Sequence, residues 1–369
     1  ADLLSSVQLV GRAVGTEQSL PILQNILIQV EKNRCTLSAT NLELSIVTSL
    51  EVEVESEGSV TLPAKALLNF VQYNQDSTIL LELSEGTKLK LQSKRAKAVI
   101  SGEESSAYPI ITPIQAGTTL TLQSLPLLKA LTLVTFACAR NTSRPTISGV
   151  HMTVHNNTLT LVGTDSYRLS EYSMPLTGQK EDISCIIPAR FLDELKIIMA
   201  ALEAKMESKG TATVTLTMSS QQIEASVGPV RLMSRLIEGK FPDYKQVLPK
   251  ECVTTVHLSI HDLLSAIKRM NYFAKELNHN IIFTVKQDVM HLTTKQTQAG
   301  KDESTIVVRI DGTENKIALS SHYLIDFLSR VDSPDIRIEL IDKLHPAIFR
   351  LPGVENFLHL IMPLRLVDE

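Results

Sequence analysis

The sequence contains no tryptophan, and aromatic residues make up only 4% of its 369 residues. It shows no aromatic series of the kind that stacks the bases of single-stranded nucleic acid. Long apolar runs are also missing: no segment approaches the roughly 20 residues that cross a bilayer, and the N-terminus has no signal-peptide pattern. We therefore expect a cytoplasmic protein that contacts no membrane.

The four cysteines, Cys35, Cys138, Cys185 and Cys252, are widely scattered and form no CxxC pair. No histidine lies near any of them at the spacing that metal ligands need. We interpret them as buried thiols.

Motifs that carry catalysis are absent as well: there is no GxGxxG, GxxxxGK[ST], HExxH, GxSxG or EF-hand loop. His151 and His155 come nearest to metal spacing, but no carboxylate or cysteine converges on them by sequence. Asp165 could act as a catalytic acid with Arg168 as its partner, although an aspartate in a turn more often accepts hydrogen bonds from nearby main-chain N–H groups. We expect neither an enzyme nor a bound cofactor or metal.

The chain has little excess charge, with 36 basic and 40 acidic residues and a net charge of -4. A partner nucleic acid would therefore need the positive charge to be segregated. Six predicted helices carry such a bias, with ten basic residues against four acidic ones. They span residues 3–15, 63–74, 123–140, 188–202, 259–275 and 320–331.

Lys129 and Arg140 are eleven residues apart and Lys268 and Lys275 are seven apart, so each pair would share one helix face. For any single helix, a solvated face with incidental lysines is the better explanation. The same bias in repeated units favours a positively lined hole that holds DNA through its phosphates.

An internal repeat decides the predicted architecture. Residues 21–30 (PILQNILIQV) and 145–154 (PTISGVHMTV) share a proline followed by alternating apolar positions, which is typical of half-buried strands. A weaker third copy runs from LLSAI at Leu263 to ALSSHYLIDFL at Ala318. We predict an α+β fold of three repeated domains, covering residues 1–117, 118–250 and 251–369.

Six motifs then carry a family resemblance over nearly the whole chain. They are SLPILQNILIQV (19–30), ATNLELSI (39–46), LPAKALL (62–68), GTDSYRLS (163–170), EGKFPDYKQVLPK (238–250) and IMPLRL (361–366). In this order they closely resemble the bacterial DNA sliding clamp, the beta subunit of the replicative polymerase III holoenzyme. The resemblance implies a head-to-tail homodimer that forms a six-domain ring, with helices lining a central channel and antiparallel sheets outside.

The resemblance also implies partners: double-stranded DNA held without regard to sequence, and DNA polymerases and an ATP-driven clamp loader recruited through short linear motifs. The motif pocket would combine apolar side chains with residues that can hydrogen-bond a peptide. Position by position it comprises Ile147, Thr164, Ser166, Tyr167, Arg168, Leu169, Pro242, Gln246, Val247, Pro346, Leu360, Ile361, Met362, Pro363, Leu364 and Arg365.

The predicted DNA channel is lined by Arg12, Lys65, Lys129, Arg140, Arg144, Arg190, Lys196, Lys268 and Arg269. The chain departs from the family in several places. Gln246 stands where arginine is common, Tyr167 where histidine is common, and Glu17 where a DNA-contacting arginine is expected. The chain begins at the first helix, without the family's opening strand, and Val367–Glu369 extend past the usual end, where they could crowd the pocket.

Ring closure requires two edge strands, for which residues 94–101 and 301–308 are the candidates. Their opposite charges would fix register, and two aromatic residues could anchor the same joint; ordinary charged edges protected against aggregation remain an equal alternative. The predicted interface comprises Lys94, Arg95, Lys97, Tyr272, Phe273, Asp302 and Glu303. Two other functions stay open: a peptide-binding scaffold that never encircles DNA, and a hydrolase with dispersed catalytic residues.

Overall fold

The computed structural model describes residues 2–15, 20–84, 86–140, 143–178, 181–205 and 212–366. Glu17 and Val367–Glu369, about which the sequence raised expectations, lie outside these residues. Within them the chain forms six α-helices, none of them long and apolar enough to cross a membrane. The helices are α1 (Asp2–Val10), α2 (Ala64–Tyr73), α3 (Ser124–Val134), α4 (Ala189–Lys205), α5 (Ile260–Ala274) and α6 (Ser321–Leu328).

The strands of the described residues follow the alternating apolar patterns of the sequence. They are β1 (Asn25–Glu31), β2 (Arg34–Thr40), β3 (Leu44–Glu51), β4 (Gly58–Pro63), β5 (Leu80–Leu83), β6 (Lys88–Gln92), β7 (Lys97–Ser101), β8 (Thr118–Gln123), β9 (Gly149–His155), β10 (Thr158–Thr164), β11 (Arg168–Pro175), β12 (Ile183–Pro188), β13 (Thr213–Met218), β14 (Gln222–Val227), β15 (Val230–Arg235), β16 (Thr254–Ser259), β17 (Asn280–Lys286), β18 (Val289–Thr293), β19 (Glu303–Val307), β20 (Arg309–Gly312), β21 (Asn315–Ser320), β22 (Asp335–Leu340), β23 (Ala347–Leu351) and β24 (Val354–Ile361).

The chain divides into two compact units, and the first comprises residues 1–128 and 190–236. It holds an eight-stranded antiparallel sheet of order β4-β1-β2-β3-β15-β14-β13-β8 and a three-stranded sheet of order β5-β6-β7. In the larger sheet, strands of the first repeat meet strands of the second where β3 pairs with β15. We call this pairing the first seam.

The second unit comprises residues 129–189 and 237–369. Its nine-stranded antiparallel sheet has the order β12-β9-β10-β11-β24-β23-β22-β16-β20, and its four-stranded sheet the order β19-β18-β17-β21. Here the second repeat meets the third where β11 pairs with β24, which we call the second seam. Helices and antiparallel sheets in three related copies confirm the predicted α+β fold.

The end of α3 differs from the prediction. Leu127, Leu131 and Val134 are buried as expected, but the α-helix stops at Val134 and a 3-10 turn follows. A Cβ on Gly163 would lie 2.6 Å from the Val134 carbonyl oxygen, so strand β10 packs directly against the helix end. Arg140 therefore lies outside the helix, and the shared helical face with Lys129 was wrong.

Candidate functional site

Most of the residues expected to form the pocket gather beside the second seam, within the second unit. A buried apolar cluster forms their base, to which three of the predicted residues, Ile147, Leu169 and Leu360, belong. Leu169 and Leu360 lie opposite each other on neighbouring strands and share a sheet face, whereas Ile147 ends a 3-10 helix; all three are at most 4% exposed. A continuous apolar base of this kind suits an aliphatic side chain of a bound peptide.

Exposed and half-buried residues surround this base. Tyr167 is 62% exposed and Val247 45% exposed, although both are large apolar side chains. Met362 packs on the apolar cluster, and its main-chain N–H donates to the Tyr167 carbonyl oxygen at 2.8 Å. Gln246 is exposed and donates only locally, from Nε2 to the Asp243 carboxylate at 2.9 Å, so its amide can turn to a ligand.

The turn between β10 and β11 is held in one conformation by its own side chains. The Thr164 hydroxyl donates to the Arg168 carbonyl oxygen at 2.7 Å, and Asp165 accepts from the main-chain N–H groups of Tyr167 and Arg168. Ser166 occupies the left-handed region with a φ of 80°. Asp165 therefore caps the turn, as its sequence position suggested, and Tyr167 is presented on a rigid support.

Arg168 requires a correction, because its guanidinium is not available to a peptide. It is 6% exposed, and it donates to the carboxylates of Asp165 and Asp326 and to the Phe136 carbonyl oxygen. Its guanidinium carbon also lies 5.2 Å from the centre of the Phe136 ring and 4.8 Å from that of Tyr323. Arg168 therefore ties the turn to α6 and supports the pocket from below.

A buried histidine that the sequence analysis did not identify lies next to this network. His359 on β24 is 0% exposed and its Nδ1 lies 2.7 Å from the Ser170 hydroxyl. Burial, and next the nearby Arg168 charge, hold the pKa of His359 well below its ordinary value, so the ring is neutral. Phe327 stacks on it at 4.2 Å. A serine and histidine closed off in this way cannot reach a substrate, and they act as core.

The other predicted pocket residues are divided by exposure. Thr164, Pro346 and Ile361 are buried, whereas Pro242, Ser166 and Arg365 are exposed and Pro363 and Leu364 are intermediate. Leu364 is fixed by a hydrogen bond from its main-chain N–H to the Ala318 carbonyl oxygen at 2.8 Å. The chain after β24 is thus tied back to the second unit, and its apolar side chains stay near the pocket.

The predicted cationic residues fall into two classes. Among the described residues, five are exposed and make no ion pair: Lys65, Lys129, Arg140, Arg190 and Lys268. Arg144 is also exposed, and its Nη1 lies 3.4 Å from the Ser166 hydroxyl. Three others are partly neutralised, since Arg12 pairs with Glu194, Lys196 with Asp193 and Arg269 with Asp302. The unpaired group keeps its full charge for a polyanion.

Both candidate edge strands end their sheets, although they are shorter than predicted. The first begins at Lys97, because Lys94 and Arg95 form a turn, and the second begins at Glu303. Asp302 is not free for a partner, since Arg269 occupies its carboxylate at 3.0 Å. Tyr272 is 69% exposed and packs edge-on against Phe273, with ring centres 5.2 Å apart.

No group of three or more potential metal ligands occurs in the part of the chain that the structure describes. The four cysteines, all of them described by the structure, form no disulfide; Cys35 and Cys138 are buried, Cys185 is intermediate and Cys252 is exposed. Burial raises the pKa of Cys35 to about 11 and that of Cys185 to about 12. The expectation of buried thiols was therefore wrong for Cys252.

Comparison with known proteins covers the chain from end to end. Three domains of the DNA polymerase III beta subunit match in order: the N-terminal domain over residues 1–112, the central domain over 121–243 and the C-terminal domain over 245–365. The beta sliding clamp of Synechocystis is 27% identical over an alignment of 384 residues, covering 100% of this chain and 98% of that protein. That of Vibrio cholerae is 25% identical, with 99% and 98% covered.

Solved structures agree with these matches. The DNA polymerase III beta chain of Streptococcus pneumoniae has a TM-score of 0.91 and 26% identity, with 98% of this chain and 97% of that chain covered. The DNA polymerase sliding clamp of Bacillus subtilis also has a TM-score of 0.91, at 24% identity, with 99% and 97% covered.

Proposed function

Because this chain belongs to the DNA polymerase III beta subunit family, we propose that it is a processivity factor that encircles duplex DNA and tethers polymerases to it. The role is mechanical rather than enzymatic and needs no cofactor. We place the protein in the cytoplasm, as three clamp domains with boundaries near residues 117 and 250.

One observation supports the ring most strongly: the two seams join equivalent strands of neighbouring repeats, and both are antiparallel. In the first, Val47 lies opposite Arg231, and in the second Glu171 lies opposite Leu358. Strand β19 of the third repeat corresponds to β3 and β11, and strand β7 of the first repeat corresponds to β15 and β24. Within the described residues, β19 and β7 each lie at the edge of their sheet with one side unpaired. A second copy can therefore supply the missing partner for each.

We take the register of that third seam from the first seam, because the β14–β15 hairpin, like that of β6 and β7, lacks the register shift found in the β23–β24 hairpin of the second seam. Lys97 is one residue past the pair that closes the β6–β7 hairpin, as Arg231 is in the β14–β15 hairpin of the first seam. Glu303 occupies the position in β19 that Val47 occupies in β3. Transferred to two copies, the register places Lys97 of one copy opposite Glu303 of the other. Main-chain hydrogen bonds would supply the adhesion, and the opposite charges would favour the correct head-to-tail orientation.

Weak contacts suffice to hold DNA inside such a ring. The exposed cations Lys65, Lys129, Arg190 and Lys268 can neutralise phosphates without reading bases, so the ring can slide and its grip weakens with salt. A closed ring leaves circular DNA only by opening. Retention is therefore a matter of topology and not of tight local binding.

The pocket beside the second seam is the proposed attachment point for polymerases and for the ATP-driven loader. Its apolar base is formed in the unbound chain, and the Thr164–Arg168 turn is rigid. Binding a peptide therefore costs little free energy for reorganisation of the protein. Tyr167 and Gln246, at the edge of the pocket, would set which peptides are preferred.

A charge swap at the proposed third seam tests the function. We expect Lys97→Glu to weaken the dimer and shorten the products that a polymerase makes on a primed circular template, because like charges would face each other. Adding Glu303→Lys should restore both dimer mass and product length. The matched control is Lys88→Glu, an exposed lysine on the neighbouring strand β6.

Two outcomes would contradict the proposal. A chain that sediments as a monomer and stimulates no polymerase would leave only the scaffold function. If the Lys97→Glu and Lys88→Glu variants dimerise equally, or if Lys97→Glu weakens the dimer but Glu303→Lys does not rescue it, β7 and β19 do not meet in the assigned register.

A further inference from the structure

The first seam carries a cleft of about 280 Å³, which none of the proposed functions uses. Its walls are the turn between β2 and β3, the segment 109–114, and the ends of β14 and β15. All of these belong to the first unit. The cleft occupies the same place on the first seam as the peptide pocket does on the second.

The two turns are built alike, down to individual hydrogen bonds. Thr40 donates from its hydroxyl to the Leu44 carbonyl oxygen at 3.2 Å, as Thr164 does to that of Arg168. Asn41 accepts from two main-chain N–H groups of its turn, as Asp165 does. Leu42 has a φ of 74°, in the same left-handed region as Ser166. The repeat has thus preserved the support of the pocket at a second position.

The segment that closes the cleft is also equivalent. Tyr108-Pro109 stands where Phe241-Pro242 stands in the next repeat, and both aromatic rings are buried. The Tyr108 hydroxyl accepts from the Thr40 main-chain N–H at 3.1 Å and donates to the Asn25 carbonyl oxygen at 3.1 Å. The segment is therefore fastened to the turn, and the cleft is preformed.

The lining shows which ligand the cleft would take. Ile110 is 91% exposed and Leu42 51% exposed, so two large aliphatic side chains at the cleft are accessible to a ligand. Within the described residues, the main-chain N–H groups of Ile110 and Ile111 make no hydrogen bond, so an extended chain could pair with them. These features together favour an extended peptide over a rounded small molecule.

The charges of the cleft differ from those of the pocket. By register, Arg235 stands where the pocket has Met362, and Glu43 where it has Tyr167. Arg235 is exposed and forms no ion pair with any residue that the structure describes. A guanidinium presents donors in a planar fork that fits a carboxylate with two hydrogen bonds.

We propose that the cleft at the first seam is a second docking site, for an extended peptide of a partner protein with aliphatic side chains on either side of an acidic residue. The proposal rests on the proposed function in one respect: the second-seam pocket is the peptide site with which the cleft is compared. Arg235 binds the carboxylate, and Leu42 and Ile110 cover the aliphatic side chains. The two sites would differ in their preferred partners because the cleft has Arg235 and Glu43 where the pocket has Met362 and Tyr167.

Isoleucine methyl groups give a direct readout in the full-length dimer. Ile110, Ile111, Ile114 and Ile223 line the cleft, whereas Ile147 belongs to the pocket. With selectively methyl-labelled isoleucine, the probe acetyl-Gly-Leu-Asp-Leu-Gly-amide should shift the four cleft resonances in a saturable way, and Arg235→Glu should weaken this response without changing any response of Ile147. The same peptide with lysine in place of aspartate should produce no such shift.

Two variants test the assignment. Arg235→Glu should weaken binding of the acidic probe at least about tenfold, since it removes the charge-assisted hydrogen bonds and adds repulsion. Ile110→Asp should abolish the response, and it will fold normally because the side chain is already exposed. An unchanged Ile147 resonance in each variant reports an intact second unit.

The proposal is overturned if the cleft methyls do not respond, if the lysine probe shifts them equally, or if only Ile147 responds. These results are independent of the processivity assay. A chain that lengthens polymerase products but ignores the acidic probe refutes the second site alone, whereas a chain that binds the probe but never stimulates a polymerase refutes the proposed function.

Discussion

Replacing Arg168 with methionine should destabilise the second unit and expose how the peptide pocket is supported. The substitution removes hydrogen bonds to Asp165, Asp326 and the Phe136 carbonyl oxygen, together with contacts over two aromatic rings. Methionine fills part of the volume but leaves two carboxylates without their shared cation. The expected loss is therefore electrostatic more than steric.

The magnitude follows from the burial of the pair. Removing one partner of a buried ion pair costs about 3–5 kcal/mol. Here the lower end applies, because Asp326 keeps its contact with Arg330 and Asp165 keeps two main-chain donors. We expect a loss of about 3 kcal/mol, which corresponds to roughly a hundredfold change in the opening equilibrium.

Amide hydrogen exchange measures this loss locally. The amides of β11 and β24 are paired at the second seam and should exchange about a hundredfold faster in Arg168→Met, if they exchange by opening of this region. The matched control is Arg309→Met, since Arg309 and its partner Asp311 are both well exposed. The control should change exchange little, because exposed pairs contribute about 0–1 kcal/mol. Equal, small effects in both variants would refute the supporting role of Arg168.

Three further predictions concern DNA, pH and the pocket. Reversing Lys65, Lys129 and Lys268 to glutamate should lower retention on nicked circular DNA and reduce the slope of log affinity against log salt by up to about 5, since the two copies of the ring lose six phosphate contacts. His359 stays neutral when buried, so the unfolded chain binds its proton more readily. Stability should therefore fall as pH drops below about 6.5, by up to about 1.4 kcal/mol per pH unit, and His359→Gln should remove that part of the slope in denaturant titrations. Truncation of residues 362–366 should abolish binding of polymerase motif peptides and leave the dimer mass unchanged.

Each of these has an outcome that counts against it. The charge-matched control for DNA retention is the reversal of Lys32, Lys88 and Lys343, which are exposed and lie outside the helices. An equal loss of retention in this control would show that the channel residues are misassigned. An unaltered pH slope in His359→Gln would mean that other groups dominate. Undiminished peptide affinity after truncation would move the binding site elsewhere.

The fold was predictable because it depends on periodicity that is repeated three times. Alternating apolar residues in PILQNILIQV and PTISGVHMTV indicated β1 and β9, and the predicted helices lie within a few residues of those observed. The end of α3 was not predictable in this way. It is set by the close approach of Gly163 to the main chain of Val134, which lies 29 positions earlier in the sequence. A contact of this kind does not appear in the periodic pattern of apolar residues.

The candidate site could be located but not fully described from the sequence. Family motifs identified the turn, the segment 242–247 and the chain end, yet they assigned Arg168 to the ligand. Its partners Phe136 and Asp326 lie 32 and 158 residues away, and no spacing rule connects them. The ion pair between Arg269 and Asp302 was not predictable for the same reason. The sequence assigned Arg269 to the DNA channel and Asp302 to the dimer interface as separate charges.

Retention on DNA of two topologies tests the central claim most directly. The protein is loaded on a nicked circular plasmid by a bacterial clamp loader with ATP, separated from free protein, and the plasmid is then cut once with a restriction enzyme. We predict that the protein stays on the intact circle and is lost from the linear product through its ends. Equal loss from both forms, or equal persistence on both, would contradict a ring that encloses the duplex.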